Sequence, residues 1–162
     1  MTNRQRKLLN CVNQAIADFN QNECYLIKND LSERCICAKF AIYLNNIIKS
    51  SEFSEYEVDV EYNRGYDGKD FKPKKLFEGN IVVDLIVHKR GYNSNYGFDN
   101  LICIEMKKLY HRYSLTDDKD RLKALTDDVY GFGYEIGFMI VAEKTLRECK
   151  LSIDEFFCNS NR

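Results

Sequence analysis

The chain has 162 residues, 44% of them hydrophobic and 30% charged, with a formal net charge of −1. That length suits a single domain with a real core, and no apolar run approaches the ~20 residues a membrane span needs. The near-neutral balance excludes a strongly basic, tail-like nucleic-acid binder.

The N-terminus, Met1-Thr-Asn-Arg-Gln-Arg-Lys7, lacks the apolar core of a signal peptide, so a cytoplasmic protein without membrane contact is expected. The seven cysteines form no CxxC pair and read as reduced thiols that fill space. Cys35 and Cys37 fall about 200° apart around a helix and cannot share a metal.

Residues 4–20 place Leu8, Val12, Ala15, Ile16 and Phe19 on one stripe, predicting a packing helix that stops at the polar run Asn20–Glu23. A second helix is predicted from about Asp30 to Lys49, with Ile36, Phe40, Tyr43, Leu44 and Ile47 facing the core. Glu33 falls on the same stripe. It reads either as the N3 member of a capping box begun by Asp30 or as a carboxylate that positions a metal or water.

Residues 56–62 alternate, with Val58, Val60 and Tyr62 on one face and Glu57, Asp59 and Glu61 on the other. This predicts an antiparallel strand with one solvated side, and Glu61 is the best placed of the three acids for a supporting role. The connection over 63–79 carries Arg64, Lys69, Lys72, Lys74 and Lys75, either solvated cations or phosphate contacts.

Asn80–Arg90 and Asn100–Lys108 read as two buried strands, apolar on both alternating faces at Ile81, Val82, Val83, Leu85, Ile86 and Val87 and again at 101–104. Into them fall Asp84, Glu105 and Lys107. Side chains alternate along a strand, so Glu105 and Lys107 share a face and Met106 takes the other. Unpaired buried charge costs on the order of several kcal/mol, a cost that a divalent metal with a phosphate ligand would offset. His88 shares the Asp84 face by parity, as a hydrogen-bonded structural residue or as a neighbour of the site.

The loop between these strands holds Tyr92, Tyr96 and Phe98 beside Lys89 and Arg90. Such residues stack on bases and grip phosphates, or simply anchor a loop tip. Thr116–Val129 reads as a third helix capped by Thr116 or Asp117, with Leu122, Leu125 and Val129 inward and Lys119, Arg121 and Lys123 near its start. Tyr134–Ala142 reads as the last buried strand, and residues 143–162 as a tail with a helical turn around Ile153, Phe156 and Phe157. His88 and His111 sit in no nucleophile motif, which argues against Ser- or Cys-based catalysis.

Asp84, followed by a strand ending in Glu105-Met106-Lys107, is similar to the D…(D/E)-X-K core of the PD-(D/E)XK nuclease superfamily. The likeness extends to Glu33 and to the element order, and covers residues 30–142. Residues 1–29 precede this core as an N-terminal helix, and 143–162 follow it as a tail of the same domain. Val83 stands where the motif often has proline, a position that shapes the strand and does no chemistry.

The resemblance implies an α/β (α+β) fold: a mixed β-sheet flanked by helices, with an αβββαβ restriction-endonuclease-like core and an extra N-terminal helix. It implies metal-dependent phosphodiester hydrolysis, in DNA rather than RNA, with Glu33, Asp84, Glu105 and Lys107 as catalytic residues. Mg²⁺ or Mn²⁺ would be held by Asp84, Glu105, the Met106 carbonyl and Glu33, since hard oxygen donors suit these ions. Lys107 would orient the attacking water or neutralise charge on the phosphorane. Lys89, Arg90, Lys119 and Arg121 are candidate phosphate contacts. One such core covers little duplex, so a homodimer or larger complex is expected. Two readings compete with this one: a nuclease-like fold used only to bind nucleic acid or protein, and a buried ion network that only sets strand register.

Overall fold

The computed structural model describes residues 1–63, 65–66, 71–72, 75–76, 79–90, 99–110, 115–128 and 132–161. Helices α1 (Asn3–Asn22), α2 (Cys24–Lys28) and α3 (Glu33–Lys49) come first, then strand β1 (Glu57–Val60). Four two-residue strands follow: β2 (Gly65–Tyr66), β3 (Phe71–Lys72), β4 (Lys75–Leu76) and β5 (Gly79–Asn80). The main strands β6 (Leu85–His88) and β7 (Asn100–Lys108), helix α4 (Thr116–Thr126) and strands β8 (Ile136–Lys144) and β9 (Cys149–Cys158) complete the order.

One five-stranded sheet has the order β1-β6-β7-β8-β9, while β2–β3 and β4–β5 form separate small ladders. The β1–β6, β6–β7 and β8–β9 pairs are antiparallel, and β7–β8 is parallel. A parallel pair needs a crossover, and α4 supplies it. The fold is therefore mixed, with α and β elements around one mixed sheet. No helix among the described residues is long and apolar enough to cross a membrane.

The alternation of β7 sorts the molecule into two cores. Ile102, Ile104 and Met106 pack with α1, whose stripe Leu8–Val12–Ala15–Ile16–Phe19 is buried as its spacing requires, and with α3, where Ile36, Phe40 and Leu44 are buried as expected. Ile48, not Ile47, completes the buried stripe of α3, and Tyr43 and Ile47 are only partly buried. Cys103 on the other face packs with Ile86, Met139 and Val141 beneath Leu122, Ala124 and Leu125 of α4. Gly137 of β8 lets α4 approach the sheet. An added Cβ there would meet Cys103 Sγ and Thr126 Cγ2 at 3.2 Å and Leu122 Cδ2 at 3.4 Å.

Several expectations are corrected. Helix α1 ends within the expected polar run, at Asn22, two residues past its start. Asn20 stays helical and mimics a strand neighbour, accepting the Leu151 N–H at 2.7 Å and donating to the Leu151 carbonyl at 2.9 Å. The short helix α2 follows. The second long helix begins at Glu33, because Ser32 is its cap and its Oγ accepts the Cys35 N–H. Asp30 lies outside it with φ 56°, so the Asp30–Glu33 capping box does not form.

The predicted strand over 80–90 is regular only at 85–88, and Val82 is exposed. Glu61 has φ 51°, which ends β1 and turns Tyr62 away from the Val58–Val60 face to pack on the α4 side. Nor is the acidic face of β1 all solvated: the Asp59 side chain is only 15% exposed. Helix α4 follows Leu115 with no side-chain cap, in place of Thr116 or Asp117, and Val129 lies outside the described residues. The tail is not helical around 153–157. It forms β9, which pairs along all of β8 and satisfies main-chain groups that would otherwise be buried unpaired.

Because α4 rests on Gly137, replacing this residue with valine should overpack the contact and cost about 1–3 kcal/mol. Urea denaturation of Gly137→Val measures this, and an unchanged midpoint would show that α4 does not seat there.

Candidate active site

The β6–β7 register pairs Leu85 with Ile104 and Ile86 with Cys103. Continued by one residue, it sets Asp84 opposite Glu105. Asp84 precedes β6, and its Oδ2 accepts the Met106 N–H at 2.8 Å. Glu105 is 2% exposed on the α4 face of β7, and the two carboxyl groups are in hydrogen-bonding contact. Asp84 and Glu105 therefore converge on one side of the sheet.

This convergence is electrostatically costly. Burial first, and then the Asp84 charge, push the Glu105 carboxyl well above its ordinary range, with Arg121 opposing. Burial also raises Asp84, against the Met106 N–H bond, the hydrogen bond from Glu105 and the nearby Lys107 charge. The direction is that of two like groups in a dry place, where burial and a neighbouring carboxylate both work against ionisation.

Lys107, two residues beyond Glu105 on the same face, is partly exposed. Its Nζ lies 3.4 Å from Asp118 Oδ2 and 3.8 Å from Glu33 Oε2. Burial works against its charge, but Asp118, Glu33 and Asp84 outweigh that and raise its pKa. Glu33 reaches the site from the first turn of α3. Its Oε1 accepts the Lys108 N–H at 3.0 Å, while Lys108 Nζ donates to Asp30 Oδ1 at 2.7 Å and to the Leu31 carbonyl at 3.2 Å. The end of β7 thus hooks the approach to α3, and this hook replaces the capping box.

Helix α4 closes the other side. Arg121 Nη2 donates to Asp118 Oδ1, and its Nε lies 2.9 Å from Glu105 Oε1. Both of these last atoms are buried without a hydrogen-bond partner among the described residues. The contact is thus an ion pair whose N–H points away from the oxygen. Asp118 is buried and was missed from sequence. Its signal was a carboxylate four residues before Leu122, on the buried stripe of α4.

Glu33, Asp84, Glu105 and Asp118 thus face Lys107 and Arg121, four acids against two bases among the described residues. Among the described residues, no group of three or more His, Cys, Asp or Glu side chains is arranged to hold a metal. Glu33, bound to the main chain of Lys108, does not join the Asp84–Glu105 pair as a third carboxylate. What remains for a cation is two carboxylates, of which Glu105 Oε1 accepts no hydrogen bond among the described residues, and the Met106 carbonyl. Oxygen donors of this kind fit Mg²⁺ or Mn²⁺, which keep several waters.

The other candidates lie elsewhere. Lys89 pairs with Glu55 at 2.9 Å and lies over the Tyr56 ring, and Arg90 pairs with Asp59. Both lie just past the far end of β6, about 16 and about 20 Å from Asp84 at the rise of a strand. His88 is also there, with Nε2 2.9 Å from Asp59 Oδ2 and its ring against Tyr62. Lys119 pairs with Asp154 and Glu155 of β9, and Lys123 with Asp120. Glu61 pairs with Arg34 at the surface. Tyr92, Tyr96, Phe98, His111 and the cations at 64, 69 and 74 lie outside the described residues, as do the side chains at 72 and 75.

Comparisons of the chain with protein-family models, curated proteins and solved structures give no match.

A carboxyl held above its ordinary value keeps a proton in the folded chain that the unfolded chain has released. The stability of the metal-free protein should therefore be full below the ordinary carboxylate range and fall as pH rises towards the folded value. The fall is about 1.4 kcal/mol for each pH unit separating the unfolded and folded values. Glu105→Gln should flatten it in urea titrations from pH 4 to 8. A parallel slope in both proteins would mean that Glu105 is not the group.

Proposed function

We propose that this chain is a metal-dependent nuclease of the PD-(D/E)XK kind, hydrolysing phosphodiester bonds in DNA. The reading is carried by the convergence of Asp84 and Glu105 in a buried, acid-rich site with Lys107 on the same face. An antiparallel β1–β6–β7 meander, followed by α4 and a parallel β8, is the order expected of a restriction-endonuclease-like core, and it supports that assignment.

In this reading Asp84, Glu105 and the Met106 carbonyl hold Mg²⁺ or Mn²⁺. The ion, when bound, supplies Lewis acidity at the scissile phosphate and lowers the pKa of a water. Asp84 and Glu105 would hold the ion as carboxylates. Lys107, kept cationic by Asp118 and Glu33, lies two residues from Glu105 on the same face. There it orients the attacking water and offsets charge growing on the phosphorane. Glu33 holds the end of β7 and the Lys107 ammonium, a positioning part more than a ligand's. Among the described candidate phosphate contacts, Arg121 is the one that borders the carboxylates.

A second reading, a nuclease-like fold used only for binding, is favoured by one observation: Lys107 and Arg121 already engage Asp118 and Glu105, so part of the charge is balanced internally. The two part on activity. Single-stranded, duplex and branched DNA, and RNA, are incubated with the protein in Mg²⁺, Mn²⁺ or EDTA. Cleavage should require metal, and Lys107→Ala should lower kcat about 10²–10³-fold. Glu105→Ala should lose cleavage, and Asp84→Ala should lose Mn²⁺-dependent thermal stabilisation. Nucleic-acid binding without cleavage and without a Mn²⁺ effect would select the binding module.

A further inference from the structure

We propose that Arg121 is an internal counter-ion of the site, held against Glu105 in the metal-free chain and displaced from it by a divalent cation. The inference rests on the metal-dependent reading above and describes how the same site is kept before the ion arrives.

The placement of the guanidinium carries the proposal. A structural arginine meets a carboxylate through parallel N–H bonds, but Arg121 sets its Nε 2.9 Å from Glu105 Oε1 without a hydrogen bond. A hydrogen bond goes instead to Asp118, from Nη2 to Oδ1. Arg121 is thus tethered to the residue three positions before it on α4 and touches Glu105 by charge alone. The Arg121 side chain is 33% exposed, against 9% for Asp118. The arginine therefore has an outward path, while its tether is fixed.

Asp118 also faces Lys107, through its second oxygen. One buried carboxylate on α4 thereby positions both cations of the site. Glu105 Oε1 accepts no hydrogen bond among the described residues and has Arg121 Nε 2.9 Å away, so a divalent cation binding that oxygen meets the guanidinium as a like charge at close range. Arg121 then swings to the exposed side on its Asp118 tether, next to the bound ion, where an anionic phosphate group of a substrate would meet it.

Mn²⁺ binding by calorimetry and thermal melting in EDTA or saturating Mn²⁺ test this on wild type, Arg121→Gln and Arg121→Lys. Arg121→Gln should bind Mn²⁺ about tenfold more tightly than wild type, a typical coupling between competing ligands. It should melt below wild type in EDTA, with the gap closing in Mn²⁺. Arg121→Lys keeps the charge and should show a smaller tightening; it carries the test if the glutamine variant does not fold. Unchanged or weaker Mn²⁺ affinity beside a wild type that binds would overturn the proposal, as would a melting deficit of equal size with and without Mn²⁺. If no folded variant and no wild type binds Mn²⁺, the metal-dependent reading fails first, and this inference with it.

Discussion

The structure turns on the meeting of two carboxyl groups in a place poor in water. Asp84 and Glu105 face each other because the antiparallel register of β6 and β7 leaves them no other arrangement. Burial raises both carboxyls, and the Asp84 charge adds to the rise at Glu105. Around them Asp118, Glu33 and Asp84 raise the pKa of Lys107, and α4 brings an Asp118–Arg121 pair up to the strand. Such a site stores an imbalance that an incoming cation can relieve.

A second charged cluster at the far end of β6 shows the contrast. There Asp59 accepts hydrogen bonds from His88 and Arg90, which hold its carboxyl below the ordinary range despite burial. One acid is matched by its donors, with the Tyr62 ring packed over His88. That cluster fastens β1 to β6. Among the described residues, the Asp84–Glu105 end keeps four acids against two bases and leaves an acceptor and a donor buried without hydrogen bonds.

The scaffold around the carboxylates is built to be rigid. On one face α1 and α3 fill the core, with α1 also clamped to β9 through Asn20 and to the start of β8 through Gln5, whose amide donates to the Glu135 and Asn159 carbonyls. On the other, Gly137 lets α4 sit close, and the Tyr134 N–H donates to the Leu125 carbonyl to lock the end of the crossover. Constellations carried on strands and packed helices hold their geometry better than those on loops. Glu33, Asp118 and Arg121 are on helices, Glu105 and Lys107 are on a strand, and Asp84 directly precedes one.

Period and parity were enough to read the stripe of α1, most of that of α3, the β7 strand to the residue, and the shared face of Glu105 and Lys107, because these are local properties of the chain. The same local rules put the charges of Asp84, Glu105 and Lys107 among aliphatic neighbours and so marked them as costly. They could not foresee β9, whose pairing is decided by the unsatisfied edge of β8, nor the loss of the Asp30–Glu33 cap, which gave way to a lysine 75 positions away on β7. They also could not separate Lys119, taken by Asp154 and Glu155, from Arg121, two residues later and beside Glu105. Which cation serves a site depends on what the other elements bring within a few ångströms, and only the packed chain supplies that.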